Sequence, residues 1–407
     1  MAGRQRHALI IGGSVGGLFA ALYLRRAGWS VAVFERSAGP LEGRGAGIMT
    51  HPEILAALAG IGITPGADLG VPIAWRAVLG RNGAEMVTLR LDQVATSWTR
   101  LYGLLADAFG ADGFRFGASL VGAESDGNGV VATFADGSTA EGDLLVGADG
   151  VRSRVRQIVD PDAELAYAGY VAWRGLIDEP QFSPDLHARL FERFIFALPP
   201  AEQFLGYPVA GPGNDLRPGH RSWNIVWYRP ADAQRDLPCL LTDATGRTHE
   251  GAIPPPLIAP GTLEELRRAT AELLPPPLAE VMALARQPFL QPIYDLETAR
   301  MANGRLALVG DAAFVVRPHV GAGVVKAAED AACLARCLSG SEDLDQALAA
   351  YDAERRPAGR RFVAQARRLG CYLRRTFADD KERAVAARYA DPAAVIRDTA
   401  VLDFLRH

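Results

Sequence analysis

The chain opens on a short apolar run, Ala8 to Ile11, that stops at Gly12, after which Leu18, Ala21, Leu22 and Leu24 recur at helical spacing until Gly28. A second apolar run, Val31 to Phe34, ends in Glu35. The pattern predicts strand, glycine turn, helix and strand, a βαβ unit whose crossover should be right-handed. Ile73 to Gly80 and Ala84 to Leu91 flank Arg81-Asn82-Gly83, and Asn-Gly between two strand-like runs signals a hairpin. Antiparallel sheet therefore interrupts the α/β beginning. A helix is expected from about Ser97 to Phe109, and strands at Val130 to Phe134 and Leu144 to Val146 around a second turn, Ala135-Asp136-Gly137.

Between roughly Tyr167 and Pro292 the pattern changes to four β-rich runs without intervening helices: Tyr170 to Leu176, Phe191 to Leu198, Gln203 to Val209 and Ser222 to Arg229. These predict an antiparallel sheet in a separate layer. Two proline triplets bracket a helix near Thr262 to Leu274; Arg305 to Val309 reads as a buried strand, and Gly323 to Leu338 as a long helix. The C-terminal stretch is helical in pattern, and its arginines read as a solvated helix face. No repeat or low-complexity tract is present.

A length of 407 residues suits two or three domains. With 43 basic and 47 acidic residues the net charge is -4, so no basic field exists for a nucleic acid or an anionic membrane, and the expected partner is a small molecule. Cys239, Cys333, Cys337 and Cys371 form no CxxC pair and have no histidine at zinc spacing, so all four read as reduced thiols and no metal is expected. Cys333 and Cys337 fit one packed helix face. The N-terminus lacks an apolar run suited to a signal peptide, no window reaches the ~18 apolar residues of a membrane span, and a cytoplasmic location is expected.

The turn Gly12-Gly13-Ser14-Val15-Gly16-Gly17 has the spacing of a dinucleotide-binding loop, with Ser14 where the second glycine of GxGxxG belongs. It follows a strand, opens a helix and is answered by Glu35, which can accept hydrogen bonds from a ribose 2′-hydroxyl. The helix start at Val15 would face a pyrophosphate with free N–H groups and a favourable dipole. The plain alternative is a glycine-rich turn without a ligand.

Two further segments, LLVGADGVRSRVR (144–156) and RLALVGDAAFVVRPHVGAGVVKAAEDA (305–331), resemble the FAD signatures of the single-component FAD-dependent aromatic hydroxylases, whose fold is that of p-hydroxybenzoate hydroxylase. YVAWRGL (170–176), WNIVWYRP (223–230) and Arg317-Pro318-His319-Val320 are most similar to the dihydroxypyridine-hydroxylating branch. The resemblance implies an α/β fold in which a Rossmann-like FAD-binding domain (1–72, 98–166 and 293–370) carries a substrate-binding β-sheet domain (73–97 and 167–292), followed by a C-terminal helical tail (371–407). It implies that Glu35 holds the adenosine ribose, with Gly12, Ser14, Val15, Gly17 and Arg36 as further FAD-binding residues. Arg100 would reach the FAD phosphates or ribityl chain, and Asp311 the ribitol. Arg44 would lie near the flavin, a surface arginine being the alternative. Asp149 and Arg152 would support the pyrophosphate and the transient approach of NADH or NADPH. Pro318, Gly321, Ala322, Gly323 and Val324 would pass close to the flavin ring, with the helix that starts there aiming its dipole at it.

The chain departs from many relatives at Phe314, where histidine is frequent, and at Ala322 and Val325. Those changes alter polarity on the substrate side. His319 could hydrogen-bond a substrate oxygen or take its proton. Strand alternation puts Asn224, Val226 and Tyr228 on one face and Trp223, Ile225, Trp227 and Arg229 on the other, so one face can line a pocket. Tyr228 is the second catalytic candidate; His51, Trp173, Tyr207 and Phe314 are candidates for an aromatic substrate cavity, each with a role in the core as its alternative. The implied activity is hydroxylation of an electron-rich aromatic or N-heteroaromatic ring with NAD(P)H and O2, through a flavin C4a-hydroperoxide. Epoxidation or oxygenation of a polycyclic or alicyclic biosynthetic intermediate is an alternative, as is a flavin-binding ligand sensor without turnover. A homodimer is a family-level expectation.

Overall fold

The computed structural model describes residues 4–41, 47–374, 377 and 379–405. Its first layer is a six-stranded sheet ordered Ala302–Asn303, Leu306–Leu308, Leu144–Gly147, His7–Ile11, Ser30–Glu35 and Phe114–Phe116. Its strands are parallel apart from the short edge strand Ala302–Asn303. Helices Val15–Arg26 and Gly323–Ser339 pack together beside this sheet and contribute to the same apolar core. Burial on both faces is why Ala8–Ile11 and Leu144–Val146 read as unbroken apolar runs.

The turn at Ala135-Asp136-Gly137 joins Val130–Phe134 to Thr139–Gly142, not to Leu144–Gly147 as the sequence suggested. Those two strands and Leu120–Ser125 form a separate three-stranded sheet. Leu144–Gly147 is buried throughout and pairs parallel with His7–Ile11, a partner that local turn chemistry does not reveal.

The second layer is a nine-stranded sheet built around Val71–Leu79, Glu85–Ser97, Ala166–Asp178, Phe194–Ala197, Gln203–Val209, Ser222–Pro230 and Phe289–Glu297. Gly47–Met49, inside the stretch assigned to the FAD-binding part, is one of its edges. The expectation of a purely antiparallel layer without helices needs correcting on two points. Phe194–Ala197 runs parallel to Val71–Leu79, because the partner comes from the distant hairpin. Helix Pro184–Leu190 also intervenes, started by Ser183, whose side chain accepts from the Leu186 amide, and by a proline at its first position.

One face of this sheet packs Trp173, Trp223 and Trp227 against helices Pro260–Leu273 and Pro276–Leu284. The other face packs Tyr170, Tyr207 and Tyr228 against the C-terminal helices Asp380–Tyr389 and Pro392–Asp398. The residues expected to be a tail thus close one side of an internal cluster. All four cysteines are unpaired, with Cys333 and Cys337 packed on one helix face. Among the described residues, no helix is long and apolar enough to cross a membrane.

Candidate active site

Strand His7–Ile11 delivers the chain to Gly12 at φ +106°, where an added Cβ would sit 2.4 Å from the Ala148 carbonyl oxygen. At Gly17 an added Cβ would meet the Gly12 carbonyl oxygen at 1.9 Å. These two positions require glycine so that helix and strand can touch. Ser14, at φ -80° and ψ -178°, has an ordinary extended backbone and makes no capping hydrogen bond with its side chain. Its departure from the glycine motif therefore strains nothing.

A cleft of about 460 Å³ opens here. Gly12, Ser14, Val15, Glu35, Arg36, Asp149, Arg152, Asp311, Gly323 and Val324 are among its lining residues. Unpaired first-turn amides and arginines suit a pyrophosphate, and Glu35 and Asp311 suit sugar hydroxyls. The donor set fits a dinucleotide such as FAD.

Glu35 is buried and already accepts from the Gly13 and Ser37 amides, each at 2.9 Å. Asp149 accepts from the Ser153 hydroxyl and from the amides of Arg154 and Val155 at 2.6 and 3.3 Å, capping helix Arg154–Val159. Burial raises its pKa, opposed by those same donors. Asp311 is accessible from the cleft yet surrounded by protein, which raises its pKa against the pull of Lys326. Behind it, Asp330 accepts from the Gly310 amide at 3.0 Å and from Arg355 Nε at 2.8 Å, holding the turn. Arg100 ion-pairs with Asp68 and does not line the cleft. Arg44 lies outside the described residues.

Segment Gly310 to Val324 leaves this cleft and returns to it. In between, Pro318–Val320 forms a short turn that places His319 in the tyrosine cluster. His319 Nε2 is 2.8 Å from the Tyr170 hydroxyl, and its ring centroid is 4.3 Å from that of Tyr228. The two tyrosine rings meet edge-on at 6.0 Å. Burial, reinforced by the Arg317 cation, pushes the His319 pKa down to about 3. Burial pushes Tyr170 and Tyr228 well above the usual phenol range and Tyr207 to about 12.

Tyr207 donates to the Gly47 carbonyl at 2.9 Å. His51 Nε2 lies 3.2 Å from the Gly321 carbonyl oxygen, and burial lowers its pKa. Gly321, at φ +64°, is covered by Ala400, whose amide donates to the His319 carbonyl at 2.8 Å. Ala322 is buried beside it, at the cap of helix Gly323–Ser339. Among the described residues, the buried polar atoms without a partner around this cluster include His319 Nδ1, Arg317 Nη1, Asn224 Nδ2, the Tyr372 hydroxyl and Oε1 of Gln203, which sits opposite Tyr228 in the sheet. A ligand or an ordered water would satisfy such atoms.

Two expected substrate contacts are misplaced. Trp173 pairs with Trp227 on the opposite face of the sheet, because the antiparallel register puts Tyr170 and Tyr228, not Trp173, on the face toward His319. Phe314 points at Gly359 of helix Leu344–Leu369, where an added Cβ would meet its ring at 2.4 Å. Sequence reasoning also missed Tyr170 and Tyr372 as site residues. Tyr170 could have been found by extending the alternation across the paired strand. Among the described residues, Glu179, His187 and Glu192 are close enough to share an ion, but Arg221 bridges both carboxylates and takes that place.

Comparison with known proteins adds an independent line. Residues 167–295 match a family model described as FAD binding domain-like, and residues 262–366 one described as FAD binding domain. The chain is 32% identical over 364 residues to 2,6-dihydroxypyridine 3-monooxygenase of Paenarthrobacter nicotinovorans, covering 89% of this chain and 90% of that one. The structure of 2,6-dihydroxypyridine-3-hydroxylase from Arthrobacter nicotinovorans superposes with a TM-score of 0.85 at 30% identity, covering 91% and 93% of the two chains. A Klebsiella pneumoniae HpxO variant complexed with FAD gives a TM-score of 0.77 at 25% identity, covering 97% and 95%.

Proposed function

The chain belongs to the FAD-dependent aromatic hydroxylases, a family of flavoprotein monooxygenases, and on that premise we propose that it uses NADH or NADPH and O2 to hydroxylate a hydroxypyridine- or phenol-like ring. The observation that carries this reading is the path of one segment. Gly310 to Val324 contributes Asp311, Gly323 and Val324 to the dinucleotide cleft and His319 to the buried tyrosine cluster. A cofactor held by the first end and a ring held at the second would meet across about a dozen residues of one loop.

Bound FAD supplies the electron storage and oxygen activation for which side chains have no equivalent. The protein's own residues bind, orient and exclude water. Glu35, Arg36, Asp149 and Asp311, with the amides at Ser14 to Gly17, would hold the cofactor. Tyr170, Tyr207, Tyr228 and His51, all buried, would shield a planar ring from solvent. His319 and Tyr228 are the groups proposed to touch the ring. Arg152, at the cleft, is proposed to assist the approach of the nicotinamide cofactor.

The test is NADH and NADPH oxidation by the purified yellow protein against hydroxypyridines, salicylates and phenols, with peroxide release and product mass followed together. Stimulated oxidation with a product heavier by one oxygen supports the reading. Failure of every such ring to stimulate oxidation overturns it and shifts weight to a larger pathway intermediate.

A further inference from the structure

The space where Gly251 would carry a side chain is filled by an arginine from the other layer. A Cβ added there would fall 1.7 Å from Nη2 and 2.8 Å from Cζ of Arg152, so the guanidinium lies against the bare Cα of this residue. Arg152 follows the strand Leu144–Gly147 and lines the dinucleotide cleft. Gly251 belongs to the second layer, in the loop between Leu241 and Ile253, which are both buried in the apolar core around Trp223 and Trp227. Inside that loop, Asp243 accepts from the Thr245 amide at 2.8 Å, the Thr245 hydroxyl at 2.6 Å, the Arg247 amide at 3.1 Å and His249 Nε2 at 2.7 Å. The platform under Arg152 is therefore internally bonded, and the core of the second layer sets its position.

Arg152 is exposed, and among the described residues it has no hydrogen-bond or ion-pair partner. Its N–H donors can therefore go to an anionic ligand. The resident dinucleotide has its own donors in the first-turn amides after Ser14, where strand and helix meet. Arg152, in contact with the second layer and open to solvent, is placed instead for an anion that comes and goes. We propose that Gly251 is a positioning residue for the nicotinamide co-substrate: its missing side chain lets Arg152 lie across the boundary between the two layers, where the guanidinium takes a phosphate of NADH or NADPH arriving from solvent. This rests on the hydroxylase reading for the use of a nicotinamide nucleotide. A methyl group at position 251 would push the guanidinium aside, and the far end of an arginine can swing, so the fold survives and the place of the charge is lost.

The test is equilibrium binding, by calorimetry, of the tetrahydro analogues of NADH and NADPH, whose rings cannot give up a hydride, to the FAD-loaded protein. Arg152→Ala should weaken binding roughly 10- to 100-fold. Gly251→Ala should weaken it by a similar factor, and the double variant by no more than the larger single loss. Gly246 controls for backbone strain: it lies in the same loop at φ +84°, against +68° at Gly251, but nothing is within 4 Å of its added Cβ. Gly246→Ala should leave binding within about 2-fold, and all of these variants should bind FAD within about 3-fold of the unsubstituted protein, which also shows that they fold.

Unchanged binding in Gly251→Ala overturns the proposal, as does an equal loss in Gly246→Ala or additive losses in the double variant. A loss of FAD affinity as large as the loss for the analogues also overturns it, by assigning Arg152 to the resident cofactor. If neither analogue binds the unsubstituted protein, the co-substrate reading itself fails and the proposal with it, an outcome distinct from binding that Gly251→Ala leaves unchanged.

Discussion

The Glu35 carboxylate accepts a 2.9 Å hydrogen bond from the Gly13 amide, tying the end of the second strand to the turn that follows the first. One side chain thus both shapes the cleft and presents an acid to it. Replacing it with alanine strands the Gly13 and Ser37 amides and should destabilise the protein by about 1–3 kcal/mol. FAD retention should fall with it, so equilibrium dialysis and denaturant melts of Glu35→Ala are expected to move together. Loss of FAD affinity in Glu35→Gln, which keeps an acceptor, with an unchanged melt would isolate the contribution of the charge.

Gly12 and Gly150 both have positive φ, yet they should respond differently to substitution. A Cβ at Gly12 overlaps the backbone at Ala148, and backbone cannot swing aside as a side chain can. Gly12→Ala should therefore cost ~3 kcal/mol or more and yield colourless protein. Gly150, at φ +79°, has nothing within 4 Å of its virtual Cβ, so Gly150→Asn should cost only about 1 kcal/mol. Equal melting shifts would refute the steric account.

The depressed His319 pKa makes a signed prediction about acid. Unfolded, the imidazole protonates near 6.5; folded, it stays neutral down to about 3. The unfolded state therefore binds more protons in that window, and the stability this residue confers is complete above pH 6.5 and declines as pH falls toward 3. Between pH 6.5 and 5, above the titration of most carboxylates, the loss should be roughly 1.5 kcal/mol. His51 shifts in the same direction, so the comparison is with His319→Asn, whose pH slope should be flatter by that amount. Identical slopes in chemical denaturation would contradict a buried neutral imidazole.

Arg76, wholly buried on the strand Val71–Leu79, donates to the carbonyls of Ile396 and Thr399 at 2.7 Å each and also binds Gln93. It caps the C-terminal end of helix Pro392–Asp398 and holds that helix against the aromatic cluster. Burial pushes its pKa down to about 9, so the cation is retained at neutral pH. Arg76→Met should release the C-terminal helix, seen as faster hydrogen exchange and proteolysis across residues 392–400. Unchanged protection there would show that apolar packing alone seats the helix.

The first βαβ unit, the hairpin at Asn82-Gly83 and the helix capped by Ser97 were legible in the sequence because each is set by neighbours a few residues apart. Alternation along Ser222–Pro230 likewise sorted Asn224, Val226 and Tyr228 from Trp223, Ile225 and Trp227. It does not say which face meets His319, nor that Trp173, a pocket candidate by its aromatic character, lies on the opposite face. That choice depends on register with Ala166–Asp178 and on what packs above the sheet. For the same reason Leu144–Gly147 is recognisable as a strand but cannot be assigned its parallel partners.

By itself, then, the sequence determined the glycine turn, its acidic answer at Glu35 and the family signatures, all local patterns that spacing preserves. Only the tertiary structure decided that Tyr170 reaches His319 across 149 positions and Arg76 reaches Thr399 across 323. Such contacts form when whole layers close on each other. The protonation state of His319 is a property of that closure, because desolvation and the Arg317 cation exist only once the layers have met.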